Sequence, residues 1–229
     1  MTRGSLIVLE GAEGAGKTTQ ARRLVAALER HALSCVYLRE PGGTSLGEAI
    51  RNILLEPSRM RTPSAEALLF MASRAQLVSE RVEPALVAGS VVVLDRFFLS
   101  TYAYQIHGRG LPSSDVRAAN RLAVADLIPT ITVVLQLSSD DGLARAGQRA
   151  AHDYMEQLGK DFHARVGSAF DEFVTPAWQA AHPECGPIAG VDASGSEDEV
   201  FERIVDAITR YVPQAAPALA AAMEQGAAQ

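Results

Sequence analysis

Nine residues near the start of the chain, Gly11-Ala12-Glu13-Gly14-Ala15-Gly16-Lys17-Thr18-Thr19, contain a Gly, four further residues and then Gly-Lys-Thr. They come directly after the apolar run Leu6 to Leu9 and lead into a stretch of helical character. That spacing at a strand-to-helix junction is the pattern of a phosphate-binding loop, or P-loop. Glycines let backbone amides turn inward around phosphate oxygens, and the start of the following helix adds its positive end. Lys17 would bring charge to the β- and γ-phosphates, and the Thr18 hydroxyl is a hard oxygen suited to Mg²⁺. ATP and magnesium are thereby implied. The loop alone does not separate kinases from GTPases or motor ATPases. Neither lysine, Lys17 nor Lys160, is preceded by Asn, so the Asn-Lys-x-Asp guanine motif is missing. Asp192-Ala193-Ser194-Gly195 fits Asp-x-x-Gly but follows the last apolar run rather than an early one.

Further chemistry-bearing residues stand just after other apolar runs. Arg39-Glu40-Pro41-Gly42-Gly43-Thr44 follows the second run, where Pro and paired Gly predict a tight loop that presents charged and backbone groups. A plain turn accounts for Pro41, Gly42 and Gly43, but not for Arg39 and Glu40. Phe70 and Arg74 are four apart and share a helical face. A ring beside a guanidinium can stack on a base and donate to its carbonyl, although core packing of Phe70 satisfies the spacing as well. The third run ends in Asp95-Arg96-Phe97, with Ser100-Thr101-Tyr102-Ala103-Tyr104-Gln105 after it. A structural ion pair is the plain alternative for Asp95 and Arg96. Between Gly142 and Glu156, small and polar residues interrupt the helical pattern, which suggests a hinged flap carrying Arg145 and Arg149. Arginine on a closing lid would bring charge to a migrating phosphoryl group and exclude water.

Taken together, these segments resemble the thymidylate kinase family, and the resemblance runs through most of the chain. It implies ATP-dependent phosphorylation of dTMP to dTDP with Mg²⁺, on a P-loop kinase fold. It assigns Phe70 to stacking on thymine, and Arg74 to the base and nearby phosphate. Arg39, Glu40 and Pro41 join them in the acceptor site. Asp95, with Thr18, would order Mg²⁺ and the phosphates, and Arg96 would clamp the acceptor phosphate. Ser100, Thr101 and Gln105 would lie at the base, Tyr104 against the sugar where a ribose 2′-hydroxyl would protrude, and Glu13 at the 3′-hydroxyl. Family members carry the catalytic Arg either in the P-loop or in the lid. Gly14 follows Glu13 here, so the task falls to Arg149 first and Arg145 second. The loop Asp192 to Gly195 would lie beside adenine. Several residues depart from the family pattern: Ser73 where Asp is common, Gly147 and Tyr154 where Arg is frequent, and Phe97 after Asp-Arg and Ile106-His107 after Gln105, where many relatives have Tyr or His and Gly. The Ser73 departure predicts a looser Arg74. His107 is expected to be a loop residue rather than a base or metal ligand.

Positioning these groups requires strands that end where the loops begin. Apolar runs at Leu6 to Leu9, Val36 to Leu38, Val91 to Leu94, Ile131 to Leu137 and Ile188 to Val191 alternate with helical patterns. The helical patterns are Lys17 to Arg30, Leu46 to Leu54, Ala65 to Ala88, Ser113 to Ala125, Phe162 to Ala181 and Glu197 to Tyr211. Such alternation predicts an α/β fold, a five-stranded parallel sheet covered by helices on both faces, with ligands at the carboxyl ends of its strands. One domain over residues 1–212 is expected, with a lid insertion near 142–156. The Ala- and Pro-rich stretch 213–229 reads as a frayed or weakly helical tail.

Composition narrows the alternatives. The net charge of -6 argues against broad nucleic-acid binding. No apolar run approaches the roughly 20 residues of a membrane span, and the first residues lack the pattern of a signal peptide, so a cytoplasmic location is expected. Cys35 and Cys185 are expected to be buried thiols in strands, not a disulfide or metal pair. The resemblance also implies a homodimer, through helices such as Leu46 to Leu54 and Ala65 to Ala88. Another pyrimidine monophosphate kinase is the nearest alternative, because a methyl pocket discriminates by only about 1 to 3 kcal/mol. A nucleotide-switched binding protein would leave Phe70, Arg74, Asp95 and Arg96 without a common purpose. A kinase inactivated through a thinned lid is a third alternative.

Overall fold

The computed structural model describes residues 3–56, 61–146 and 158–226. Five strands, β1 (Leu6–Gly11), β2 (Cys35–Arg39), β3 (Val91–Asp95), β4 (Ile131–Gln136) and β5 (Ile188–Asp192), form one sheet in the order β2-β3-β1-β4-β5. Every neighbouring pair is parallel. The two-residue period of a strand divides β1 between two apolar layers. Leu6 and Val8 face one layer together with Val92, Leu94 and Val134, whereas Ile7 and Leu9 face the other with Val93 and Val133. Both faces are covered, so the interior strands are apolar over most of their length, as expected of a doubly wound sheet, with polar residues such as Glu10 and Asp95 toward their carboxyl ends.

Helices α1 (Lys17–Arg30), α2 (Ser45–Leu55), α3 (Pro63–Leu77), α4 (Glu83–Val87), α5 (Phe98–Thr101), α6 (Ser113–Val124), α7 (Ser139–Ala146), α8 (Lys160–Phe173), α9 (Pro176–Ala181), α10 (Glu197–Thr209) and α11 (Ala216–Gly226) connect and cover the strands. The expected helix over Ala65 to Ala88 is interrupted: a π-helical turn at Val78–Val82 separates α3 from α4. Pro84 lacks an N–H and crowds the preceding turn, and the wider turn accommodates both. The expected helix Phe162 to Ala181 also divides, because Pro176 starts α9 and the Thr175 hydroxyl caps it by accepting from the Trp178 N–H. A helical segment absent from the sequence pattern, α5 with a π-helical turn at Tyr102–Gly108, carries Ser100 to Gln105 and includes His107.

Three further expectations are corrected. Gly142 to Ala146, read as the start of the lid, belong to α7, which Ser138 caps by accepting from the Asp141 N–H at 3.1 Å. The rest of the expected lid to Glu156, including Gly147, Arg149 and Tyr154, lies outside the described residues. Cys185 ends a short 3₁₀ turn, not a strand, and Cys35 is only half-buried; both are free thiols. The stretch after Val212 is not frayed over its described part. Ala215, Ala218 and Leu219 are buried in the layer that also holds Leu24, Leu28, Ile204 and Ile208.

Candidate active site

A cleft of about 430 Å³ lies at the carboxyl ends of β1, β2 and β3. It is lined by the P-loop, by Tyr37 and Arg39 of β2 with Glu40 and Pro41 after it, and by Phe70 and Arg74 of α3. Asp95, Arg96, Ser100, Thr101, Tyr104 and Gln105 line it too, with Arg22 of α1 and Arg51 and Leu55 of α2, which were not singled out from sequence. The acceptor-side residues singled out from sequence therefore border one space with Lys17 and Thr18. Arg145 does not line it, and its guanidinium donates to the Ala193 carbonyl at 3.3 Å, on the loop after β5.

At the P-loop end, Lys17 folds back over its own loop and donates from Nζ to the Ala12 carbonyl at 2.6 Å. Burial, with Arg96 nearby, lowers its pKa to about 8 against the partial opposition of Glu13, Asp95 and Glu10. The Thr18 hydroxyl donates to Asp95 Oδ2 at 2.5 Å, and Tyr37 donates to the same oxygen at 3.3 Å. Among the described residues there is no group of three or more His, Cys, Asp or Glu placed to hold a metal ion. Magnesium needs none, since it is held by one or two hard protein oxygens with water and phosphate oxygens completing the shell. Thr18 Oγ1 and Asp95 Oδ2 are such a pair, so the residues present fit that ion.

Just after β3, Arg96 adopts φ +72°, an uncommon conformation for a residue with a side chain. Its guanidinium donates to Glu13 Oε1 at 2.5 Å, to Ser100 Oγ at 2.9 Å and to the Gly11 carbonyl at 3.3 Å. Burial opposes its charge, but Glu13, Tyr104, Asp95 and Glu10 outweigh burial and raise its pKa. The Tyr104 hydroxyl donates to the same Glu13 oxygen at 3.0 Å, and burial first, then Glu13, pushes its pKa up despite Arg96. Arg39 sits at the rim, paired with Glu48 at 3.1 Å.

The α3 end of the cleft has a different character. Phe70 is half-buried, packed against one apolar layer on one side and open to the cleft on the other. Arg74 is 2% exposed, and its N–H groups are all engaged. Glu40 Oε2 accepts two of them at 2.8 and 2.5 Å, while Thr101, Asn120 and the Phe97 carbonyl accept at 2.9, 2.7 and 2.8 Å. Burial raises the Glu40 pKa with Arg74 opposing it, and the other Glu40 oxygen is buried without a hydrogen-bond partner. The expected loosening of Arg74 by Ser73 is thus not found. Ser73 instead accepts from the Gly42 N–H at 3.1 Å and ties α3 to the Pro-Gly-Gly loop. Gln105 donates to Glu66 Oε1 at 3.0 Å, and Glu66 also binds Arg109 at 2.7 Å.

Several residues of this site escaped the sequence reading. Asn120 arrives from α6, and nothing local marks it. Glu66 lies on α3 four residues before Phe70, and that spacing placed it on the face of Phe70 and Arg74. Glu10 did carry a signal, because it is a charged residue at the end of an apolar run. The strand period puts it on the same face as Leu6 and Val8, where it is fully buried.

Comparison with known proteins places the same residues in a named group. The family model described as thymidylate kinase matches residues 9–204. A thymidylate kinase of Synechococcus sp. (strain JA-3-3Ab) is 44% identical over 211 residues, 92% of this chain and 98% of its own length. One of Deinococcus radiodurans is 41% identical over 91% of this chain and 98% of its own length. One of Thermoanaerobacter sp. (strain X514) is 39% identical over 92% of this chain and its full length. With the parallel sheet, the P-loop and a cleft that joins it to an aromatic and arginine-lined acceptor side, this kinship means that the chain belongs to the thymidylate kinase family.

Proposed function

We propose that the residues of this cleft carry out an in-line phosphoryl transfer from ATP to the 5′-phosphate of dTMP. The protein phosphorylates dTMP to dTDP, the reaction of its family, with ATP as donor. The observation that carries the residue assignments is the single cleft bordered by Lys17, Arg96 and Phe70, which supports one donor and one acceptor held end to end. Thymine stacks on Phe70, with Ser100, Thr101 and Gln105 near its edge. Arg74 supports the pocket from beneath and would bond the base only by giving up a present partner. The sugar lies between Tyr104 and Glu13, with Tyr104 occupying the space of a ribose 2′-hydroxyl. Arg96, with Arg39 at the rim, binds the acceptor phosphate and aims its oxygen at the γ-phosphorus.

The phosphates of ATP lie in the loop Gly11 to Thr19 with Lys17 beside them, and adenine lies near Asp192 to Gly195. Thr18 and Asp95 would hold Mg²⁺, which when bound neutralises charge on the β- and γ-phosphates. No general base is required, because a phosphate monoester is already ionised near neutral pH, and positioning carries the catalysis. Arg149 of the lid, with Arg145 second, contributes charge to the migrating group. The reading also takes the enzyme as a cytoplasmic homodimer. Two free cysteines suit a reducing compartment, and exposed Leu46 and Leu68 on α2 and α3 suit a self-complementary face. A single monomeric species in sedimentation equilibrium would remove the dimer.

Direct product detection with ATP and dTMP, beside dUMP, UMP, CMP, AMP and GMP, tests the reading. Preferential dTDP is expected, and consumption of ATP without a diphosphate product would overturn the acceptor site. Arg149→Ala should lower kcat by about a hundredfold with little change in the KM for dTMP. An unchanged kcat would transfer the role to Arg145.

A further inference from the structure

Glu10 is fully buried at the end of β1, and its first partners are not cations. Its Oε1 accepts from the Phe97 N–H at 2.7 Å and the Ser100 N–H at 2.9 Å, and its Oε2 accepts from the Ser100 hydroxyl at 2.6 Å. The Ser100 oxygen in turn accepts from Arg96 Nη1 at 2.9 Å. We infer that Glu10 is a positioning residue for the acceptor-phosphate clamp, acting on Arg96 through the Ser100 hydroxyl and through the turn that follows β3. The inference rests on the role assigned to Arg96 above.

Two physical features support it. The first is hydrogen-bond polarity. Ser100 donates its one proton to Glu10 Oε2 and keeps lone pairs for the guanidinium. A donor in place of Oε2 would remove that acceptor, so the Ser100 proton and the lone pair that Arg96 meets would no longer be fixed in direction. The second is backbone conformation. Arg96 at φ +72° is held only if neighbouring contacts determine it, and the next residue, Phe97, is bound at both its backbone N–H and its carbonyl. Glu10 takes the Phe97 N–H, and Arg74 donates to the Phe97 carbonyl at 2.8 Å. Charge-assisted bonds to buried backbone groups are the strong ones, and here they fix the direction in which the Arg96 side chain leaves the sheet. On this account Arg74 also serves the phosphate end through Phe97, beyond any contact with the base.

The test compares Glu10→Gln, Ser100→Ala, the double variant and Arg96→Ala with the parent enzyme. In Glu10→Gln the amide oxygen can still accept both backbone N–H groups, so the fold survives, while the amide nitrogen cannot accept the Ser100 proton and the hydroxyl loses its fixed orientation. Expected are a fall of about tenfold or more in kcat/KM for dTMP, an unchanged KM for ATP and a native thermal transition. Ser100→Ala should show a similar loss, and the double variant little more than either, as in one chain of contacts. A parental kcat/KM in Glu10→Gln, equal losses toward both substrates, or independent multiplying losses in the double variant would each overturn the inference. Arg96→Ala separates the two levels. If it is severely impaired while Glu10→Gln is not, the clamp stands and the positioning role fails. If it matches the parent, the clamp itself is wrong.

Discussion

Lys17 shows how one residue's environment sets a condition on the whole reaction. It lies 6% exposed beneath its loop, and burial with Arg96 nearby brings its pKa down to about 8. Its positive charge is therefore present below that pH and lost as pH rises through it. Charge on this ammonium is what attracts triphosphate, so kcat/KM for ATP should decline from near pH 8 upward. That ratio reports the free enzyme; bound phosphates stabilise the ammonium, and the decline in kcat should lie at higher pH. A kcat/KM profile that stays flat to pH 9 would show that Lys17 keeps its proton. At the same scale, Arg74 differs from Arg96 although both are arginines facing one cleft. Every Arg74 N–H is taken by protein acceptors. Arg96 is held chiefly by Glu13 and Ser100, groups at the surface of the cleft.

Among the elements, the P-loop and α7 meet through backbone. A Cβ on Gly14 would overlap the Gly142 carbonyl, and one on Gly142 would overlap the Glu13 carbonyl. Gly14 also has φ +74°, and Gly16 has φ +87° with nothing near its missing Cβ. The two glycines thus separate conformational strain from close approach. Gly16→Ala should destabilise by about 1–2 kcal/mol, the cost of a left-handed residue. Gly14→Ala should cost clearly more, because rigid backbone of α7 must move away as well. Urea denaturation of both variants measures the difference, and equal costs would mean that the contact between loop and helix is easily relaxed.

For the molecule as a whole, the C-terminal helix extends one of the two apolar layers. The family match ends at residue 204, whereas α11 spans Ala216–Gly226 and packs on α1 and α10. Leu219 is fully buried there, and Gln214 reaches Ser5 at the start of β1 with a bond of 2.7 Å. α1 begins at the P-loop lysine, so this packing braces the helix that supports the phosphate site from behind. Leu219→Ala should lower stability by about 2–5 kcal/mol, as buried leucine truncations do, while kcat stays at the parental value. A loss of activity with an unchanged urea midpoint would instead connect α11 to the site.

The P-loop pattern, the approximate strand positions and the parallel α/β class were legible because each depends on local pattern. A Gly-x4-Gly-Lys-Thr loop works through its own backbone, and apolar runs alternating with helical periods leave few other layer arrangements. Breaks at Pro84 and Pro176 were legible in principle, since proline acts on its immediate neighbours. Tertiary structure decided the partners of long side chains. Whether Arg74 faces a ligand or the protein depends on Glu40, Thr101 and Asn120, which are 34, 27 and 46 residues away. Whether Phe70 joins the core or the cleft depends on what the sheet leaves uncovered. Whether residues 213–226 fray depends on an apolar layer built by α1 and α10. Such contacts form only when distant segments are brought together, and no spacing along the chain encodes which segments those are.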